Sequence, residues 1–151
     1  MKKPGVISFT INFGRDQRSY KHISLLSHNI GLLYSIHLKL IWEKYKDIRL
    51  VVYDGEDEEI TTENYGYKTR AFITTSRNLT KIKVYKPDKI VKLKILELLQ
   101  EIIIVLSKEY SWNQDSVQKA YDEVKKVVEK GEPLPSYLDT FFGENSWKAS
   151  S

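Results

Sequence analysis

The sequence predicts an α+β fold: a single antiparallel sheet of about five strands, two long helices packed on one face, and a third, C-terminal helix. Strand-like and helix-like segments follow one another in the order β-α-β-β-β-β-α-α, and short turn-like segments join the four central strands. The 151 residues, 41% of them hydrophobic, suffice for one domain with its own core. We therefore expect a single domain over residues 1–151, ending in a proline-punctuated tail at 132–151.

The first two elements are a strand, Val6 to Phe13, and a long helix. Apolar and polar residues alternate in the strand. Ser19 is a candidate N-cap for the helix, which we expect to reach about Lys46. Gly31 costs roughly 1 kcal/mol relative to alanine in mid-helix, which indicates a kink or a close contact. The predicted apolar side comprises Ile23, Leu26, Ile30, Leu33, Leu40 and Ile41, and the opposite side Ser24, His28, Gly31, Ser35, Lys39 and Lys46.

Four strands are predicted next, as an antiparallel meander. Their residues are Ile48 to Tyr53, Glu58 to Glu63, Tyr67 to Thr75 and Thr80 to Lys86. Asp54-Gly55, which follows the first of them, is typical of a type I′ hairpin turn. The sequence therefore predicts that the first two of these strands pair with each other.

Two helices complete the predicted fold. Pro87 suits the first turn of a helix that runs to about Tyr110, and a second helix starts near Asn113 or Asp115 and ends at Gly131. The first is apolar on most of its circumference, so we expect it to be buried on two sides. Its polar stripe comprises Lys94, Glu97, Glu101 and Lys108.

Several kinds of chemistry are excluded or disfavoured. The chain has no cysteine, which excludes disulfides and thiol nucleophiles. His22, His28 and His37 fall on the first helix, but no two of them have the i, i+4 spacing of helical zinc ligands. We expect His37 to be a core histidine bonded to a backbone carbonyl, and a functional role for it stays open. No serine-nucleophile or phosphate-loop motif occurs. We therefore expect no enzyme, no metal and no cofactor, although a site built from distant loops stays open.

No targeting or membrane segment is recognisable. The N-terminal apolar stretch is interrupted by polar residues, unlike a signal peptide. The longest purely apolar run, Ile102 to Leu106, is far too short to span a membrane. These observations predict a cytoplasmic protein.

The charge is strongly polarised along the chain. Seven acids and one base lie between Asp47 and Gly66, a net charge of −6 in a chain whose total is +4. A calcium loop is disfavoured because its alternating acids and its glycine at the sixth position are missing. A solvated hairpin tip and a docking surface for a basic partner stay open, and the second would relieve the repulsion among the acids. The candidate partner-binding residues are Asp54, Glu56, Asp57, Glu58, Glu59 and Glu63.

A basic surface is the alternative site. Lys81, Lys83 and Tyr85 would share one face of the last predicted strand, with Arg77 in the preceding loop and Arg70 nearby. Basic and aromatic side chains on a sheet face are typical of single-stranded nucleic-acid binding, although a solvated sheet face has the same appearance.

The sequence thus favours a non-enzymatic interaction domain. We expect a bacterial immunity or antitoxin-type protein that neutralises a basic toxin, such as a nuclease domain, through an acidic hairpin. This expectation rests on size, absent chemistry and charge rather than on a motif. The alternative is a nucleic-acid-binding module, and the oligomeric state is left open.

Overall fold

The computed structural model describes residues 6–38, 47–56, 60–63, 70–83 and 88–135. Within these ranges the chain forms a mixed α/β fold, with a sheet and three long helices that share one hydrophobic core. The described helices are α1 (Lys21–His37), the short α2 (Thr80–Lys83), α3 (Asp88–Glu109) and α4 (Gln114–Glu129).

Three of the four strands that the structure describes run parallel, so the predicted antiparallel sheet of about five strands is wrong. β1 (Val6–Asn12), β2 (Asp47–Asp54) and β4 (Arg70–Arg77) run parallel to one another. The short β3 (Ile60–Glu63) pairs antiparallel with β4, and the order across the sheet is β1-β2-β4-β3. β4 therefore lies between the two strands that precede it in the chain.

The β2–β3 hairpin predicted from Asp54-Gly55 does not form. A type I′ turn needs a positive φ at both central residues, and Gly55 is not among the positive-φ residues of the described chain. Instead the Gly55 amide donates to the carbonyl oxygen of Arg77, at 3.0 Å. β4 occupies the place next to β2, and β3 lies on the far side of β4. The predicted antiparallel pairing of β3 with β4 is confirmed.

The strand predicted over Thr80 to Lys86 is also wrong, because residues 80–83 form α2 and 84–86 lie outside the described ranges. Leu79 and Ile82 are both buried, a spacing of three that fits one face of a helical turn. Asn78 Oδ1 accepts a hydrogen bond from the Thr80 amide at 3.0 Å, which supports the start of this turn.

One face of the sheet is buried and the other is open to solvent in several places. The described side chains on the buried face belong to the core shared with the helices and include Ile7, Phe9, Ile11, Ile48, Leu50, Val52 and Ile73. On the other face Thr10, Arg49 and Tyr53 are exposed. The alternation of apolar and polar residues along these strands thus reflects a parallel sheet that is fully buried on only one of its faces.

Helix α1 closes the outer edge of β1 through its small residues. Ser35 Oγ accepts a hydrogen bond from the Ile7 amide at 2.7 Å, and Ser24 Oγ donates to the Ile11 carbonyl at 2.7 Å. Between them, a Cβ added to Gly31 would lie 2.8 Å from Phe9 Cβ, so the predicted close contact at this glycine is confirmed. The side of the helix that the sequence indicated as polar therefore packs against the sheet.

The start of α1 differs from the prediction. Tyr20 is the N-cap residue, with no side-chain hydrogen bond, so Ser19 does not cap the helix. Residues 39–46, over which the helix was expected to continue, lie outside the described ranges.

Helices α3 and α4 complete the core. Glu97, Glu101 and Lys108 are exposed on α3 and most of the remaining surface is buried or half-buried, which confirms its polar stripe. Asn113 caps α4 by accepting from the Ser116 amide, and Gly131 has a φ of +71°, as expected just past a helix end.

A buried polar contact joins the three long helices. The Tyr34 hydroxyl on α1 lies 2.5 Å from Gln100 Oε1 on α3 and 3.2 Å from the Val117 carbonyl on α4. Burial raises the pKa of this tyrosine, since the charged phenolate would be poorly solvated here. The hydroxyl therefore stays neutral and fixes how the helices meet.

Candidate interaction site at the carboxyl edge of the sheet

The carboxyl ends of the three parallel strands meet at one edge of the sheet. β1 ends at Asn12, β2 at Asp54 and β4 at Arg77. In open α/β sheets, ligands bind outside these ends, where loops present polar groups without disturbing the core. Asp54 is also the first of the predicted partner-binding acids, so the predicted acidic site begins at this edge.

The loop after β1 is held in one shape by side-chain hydrogen bonds. Asn12 Oδ1 accepts from the Gly14 amide at 2.8 Å, and Gly14 has a φ of +62°, which favours glycine. Gln17 Oε1 accepts from the Phe13 amide, and its Nε2 donates to Ser24 Oγ, both at 2.8 Å. The loop is thereby tied to α1, and it carries Asp16 at the carboxyl edge.

Asp54 and Lys83 form the central ion pair of this edge, with 2.6 Å between Lys83 Nζ and Asp54 Oδ2. Asp54 Oδ1 also accepts from the Leu79 amide at 3.1 Å, so both carboxylate oxygens are used. Asp16 lies 3.9 Å from the same ammonium group. The side chains of Lys83 and Asp54 are only 20% and 28% exposed, whereas Asp16 is 64% exposed.

Two aromatic rings lie beneath this ion pair. Lys83 Nζ is 5.7 Å from the Phe13 ring centre and 5.4 Å from that of Tyr20, within cation–π range. The rings themselves are 4.8 Å apart and tilted by 36°. The ammonium group is thus held by opposite charge on one side and by aromatic faces on the other.

Both members of the pair have shifted pKa values. Burial alone would raise the pKa of Asp54, but the hydrogen bonds from Lys83 and from the Leu79 amide outweigh it and lower this pKa. The hydrogen bond with Asp54 raises the pKa of Lys83, against the smaller effect of burial. Both groups are therefore charged at neutral pH, and Lys83 is a poor nucleophile because its amine keeps its proton.

The arrangement is suited to holding a loop in place. Lys83 and Asp54 already bind each other, and Asp54 also bonds the backbone that begins α2. Among the described residues, no group of three or more histidine, aspartate or glutamate side chains is placed to hold a metal ion. The pair thus fixes the end of β2, after which the acid-rich residues 55–59 follow in the sequence.

The predicted partner-binding acids lie before β3 in the sequence, except for Glu63, which belongs to it. We call residues 54–59 the acidic segment; it contains five of the six predicted acids. Asp54 is bonded within the fold and Glu56 is exposed, while Asp57, Glu58 and Glu59 lie outside the described residues. Glu63 is the last residue of β3 and pairs with Phe72, whereas Ile60 at the other end pairs with Thr75. In the sequence, acids therefore precede β3 and occupy its last position.

The residues of the alternative basic site do not lie together on one face of a strand. Lys81 and Lys83 belong to the short helix α2, and Tyr85 lies outside the described residues. Arg70 and Arg77 stand at opposite ends of β4, about 23 Å apart at 3.3 Å per residue. Arg77 donates to Thr75 Oγ1 and to the Ser76 carbonyl, and Lys83 is paired with Asp54. Sequence reasoning had placed these side chains together because it treated residues 80–86 as a strand.

The three histidines lie on α1, as predicted, and do not form a cluster. His22 is exposed, whereas His28 and His37 are half-buried. Burial lowers the pKa of His28, and it also lowers that of His37 although Glu123 on α4 opposes the shift. The predicted carbonyl partner of His37 stays a prediction.

Two features of the site escaped sequence reasoning. The Asp54–Lys83 pair joins residues 29 positions apart, and nothing in their local patterns signals it. The serine contacts to β1 did have a signal: Ser24, Ser27, Gly31 and Ser35 recur every three or four positions along one helix face. Small residues in that pattern favour a close approach to a neighbouring backbone.

Comparisons with protein-family models, with curated proteins and with solved structures found no match. Among the residues that the structure describes, no helix combines the length and the apolar character needed to cross a membrane.

Proposed function

We propose that this protein is a non-enzymatic interaction domain that binds a partner with a basic surface through the acidic segment. The observation that carries the proposal is the concentration of charge: five acids occupy six consecutive positions, in a chain whose net charge is +4. Folding does not require such a cluster, since like charges on one loop repel one another. A cationic partner would relieve this repulsion and would be steered towards the segment.

The ion pair supports the proposal by fixing the point at which the acidic segment begins. Lys83 neutralises Asp54 and holds the beginning of the segment at the carboxyl edge. Glu56 follows two residues later and is exposed. The acids after Asp54 are therefore the ones we assign to partner binding, and Asp54 is the anchor that positions them.

Within this class we propose a bacterial immunity or antitoxin-type protein acting in the cytoplasm. A nuclease toxin binds nucleic acid through a cationic surface. A protein that blocks such a surface needs clustered carboxylates and no chemistry of its own. Acidic charge and the lack of a recognisable catalytic motif in the sequence support this choice over an enzyme.

Nucleic-acid binding through the basic residues is the weaker proposal. Lys83 and Arg77 already donate hydrogen bonds within the fold. A nucleic-acid surface would need them free to bind phosphates.

The proposal is tested by capture from a lysate of the native cells, with identification by mass spectrometry. The acidic triple (Glu56→Gln, Asp57→Asn, Glu58→Gln) removes three charges from the segment. The control triple (Glu101→Gln, Glu109→Gln, Glu129→Gln) removes three from exposed helical positions, so both have the same net charge. We expect a basic protein that binds the wild type and the control triple, with a slower, less salt-dependent association to the acidic triple.

Equal association of the wild type and the acidic triple across the salt series would refute the role of the segment. If both triples weakened partner binding equally, the effect would come from the net charge of the protein and not from the acidic segment. Salt-sensitive binding of the wild type to single-stranded nucleic acid would favour the alternative.

A further inference from the structure

The two outer edges of the sheet differ in how their backbone groups are covered. β1 forms one edge, where Ser35 and Ser24 on α1 bond its outward-facing amide and carbonyl groups. β3 forms the other edge, and β4 is the only described element on which it packs extensively. In a strand, alternate residues direct their backbone groups to opposite sides. Half of the β3 residues therefore direct an N–H and a C=O away from β4.

The acids next to β3 in the sequence indicate which charge a strand that pairs with this edge should carry. Five acids precede the strand in the acidic segment, and Glu63 is its last residue. Four residues span about 13 Å, so a strand lying along β3 would have acids at both of its ends. Lysine or arginine side chains at those positions would complement them.

We propose that the outer edge of β3 takes up an extended, lysine- or arginine-rich segment of the partner as an additional strand. Main-chain hydrogen bonds to β3 then hold the segment, and the flanking acids select for positive charge. This inference rests on the proposed function and names the form in which the basic partner binds. A second copy of the chain is disfavoured as the occupant, because antiparallel pairing of two β3 strands would place the acidic segment of each copy next to Glu63 of the other.

The probe is a seven-residue peptide, acetyl-Lys-Thr-Lys-Val-Lys-Thr-Lys-amide, with two N-methylated versions. One carries methyl groups on the backbone nitrogens of peptide positions 2, 4 and 6, and the other on those of positions 3 and 5. All three peptides have the same charge. In an added strand, only one set of peptide amides faces β3, so the two methylation patterns have unequal effects.

We expect the unmodified peptide to bind and one methylated version to bind at least about tenfold more weakly, while the other stays within about threefold. Amide exchange of Thr61 or Thr62 should slow when the unmodified peptide is added, which locates binding at β3. Equal binding of all three peptides would refute strand addition. No measurable binding of the unmodified peptide would refute it too.

The outcomes separate this inference from the proposed function. Equal binding of the three peptides by the wild type, lost in the acidic triple, would leave charge recognition standing without strand addition. Unequal binding that persists in the acidic triple would leave strand addition standing and refute the role of the acids. Concentration-dependent dimerisation through β3, with no peptide binding, would replace the basic partner by a second copy of the chain.

Discussion

The two edge strands of the sheet, β1 and β3, are protected in different ways. β1 has seven residues, and α1 covers it with serine hydroxyls that hydrogen-bond its backbone and with close packing at Gly31. β3 has four residues and is flanked by acids instead of being covered by a described helix. Natural proteins protect edges both by cover and by short, charged strands. Among the described elements only β4 packs extensively on β3, which is why we propose that the partner binds along its other edge.

The close packing of α1 on β1 gives the largest expected effect on stability. Gly31→Val should lower the free energy of unfolding by about 3 kcal/mol, since a Cβ there would lie 2.8 Å from Phe9 Cβ and 3.0 Å from the Ile7 carbonyl oxygen. Urea denaturation measures this change. Leu25→Val on the same helix is the control, because Leu25 is 57% exposed and we expect a change below ~0.7 kcal/mol. Equal midpoints for the two variants would mean that α1 does not pack closely on β1.

The hydrogen bond that covers the β1 edge gives the next effect. Ser35→Ala leaves the buried Ile7 amide without its acceptor, and we expect a loss of about 2 kcal/mol in unfolding free energy. The exchange rate of the Ile7 amide should rise in the same variant. Ser27→Ala is the matched control, because Ser27 Oγ is 3.4 Å from the Phe9 carbonyl and bonds mainly within its own helix. A larger loss in Ser27→Ala than in Ser35→Ala would contradict this account of the edge.

The anchor near β3 gives a smaller, pH-dependent effect. Asp54→Asn should cost about 1 kcal/mol at pH 7, since the pair with Lys83 is lost but the side chain is partly exposed. The folded-state pKa of Asp54 is lowered, so its contribution is present above the unfolded pKa of about 3.9 and is lost as the pH falls through the lower, folded value. Unfolding of both proteins between pH 7 and pH 2 should show the difference shrink.

Asp122→Asn serves as the control for the anchor, since Asp122 is exposed and accepts only from Gln118 among the bonds observed. We expect it to change the unfolding free energy by less than ~0.5 kcal/mol. A difference between Asp54→Asn and the wild type that grows towards pH 2 would contradict the assigned ion pair.

A single charge in the acidic segment gives the smallest effect on stability. Glu56→Gln should leave the unfolding free energy within ~0.5 kcal/mol, because the residue is exposed. The variant should nevertheless associate with the unmodified lysine peptide more slowly than the wild type does. This difference in association rate should shrink as salt is added. Glu101→Gln removes the same charge from α3 and should not slow association. Marked destabilisation by Glu56→Gln would instead show that this carboxylate is bonded within the fold.

The elements of the described chain were mostly predictable from sequence, but the sheet type was not. Alternation in β1 correctly indicated one buried and one exposed face. Parallel strands usually read as continuous apolar runs because helices cover both faces, whereas here Thr10 and Arg49 are exposed on one face. The alternating pattern therefore favoured an antiparallel sheet. The position of β4 beside β2 depends on pairing between distant residues, which local patterns do not encode.

The candidate site was predictable only in its charge. The excess of acids between Asp47 and Gly66 is a property of the sequence itself, and so is the absence of cysteine. The partner of Asp54 was not predictable, because Lys83 reaches it only after residues 80–83 fold as a helix. The same local error placed Lys83 in a basic surface instead of in an ion pair.

Residue-resolved amide hydrogen exchange of the free protein tests the contrast between the two edges most directly. The Ile7 amide should be strongly protected, because it donates to the buried Ser35 of α1. Within β3, one of the two neighbours Thr61 and Thr62 should be protected by β4 and the other should exchange rapidly, since its amide faces outward. Protection of both β3 amides to the level of Ile7, in the monomer and without peptide, would contradict an open edge at β3.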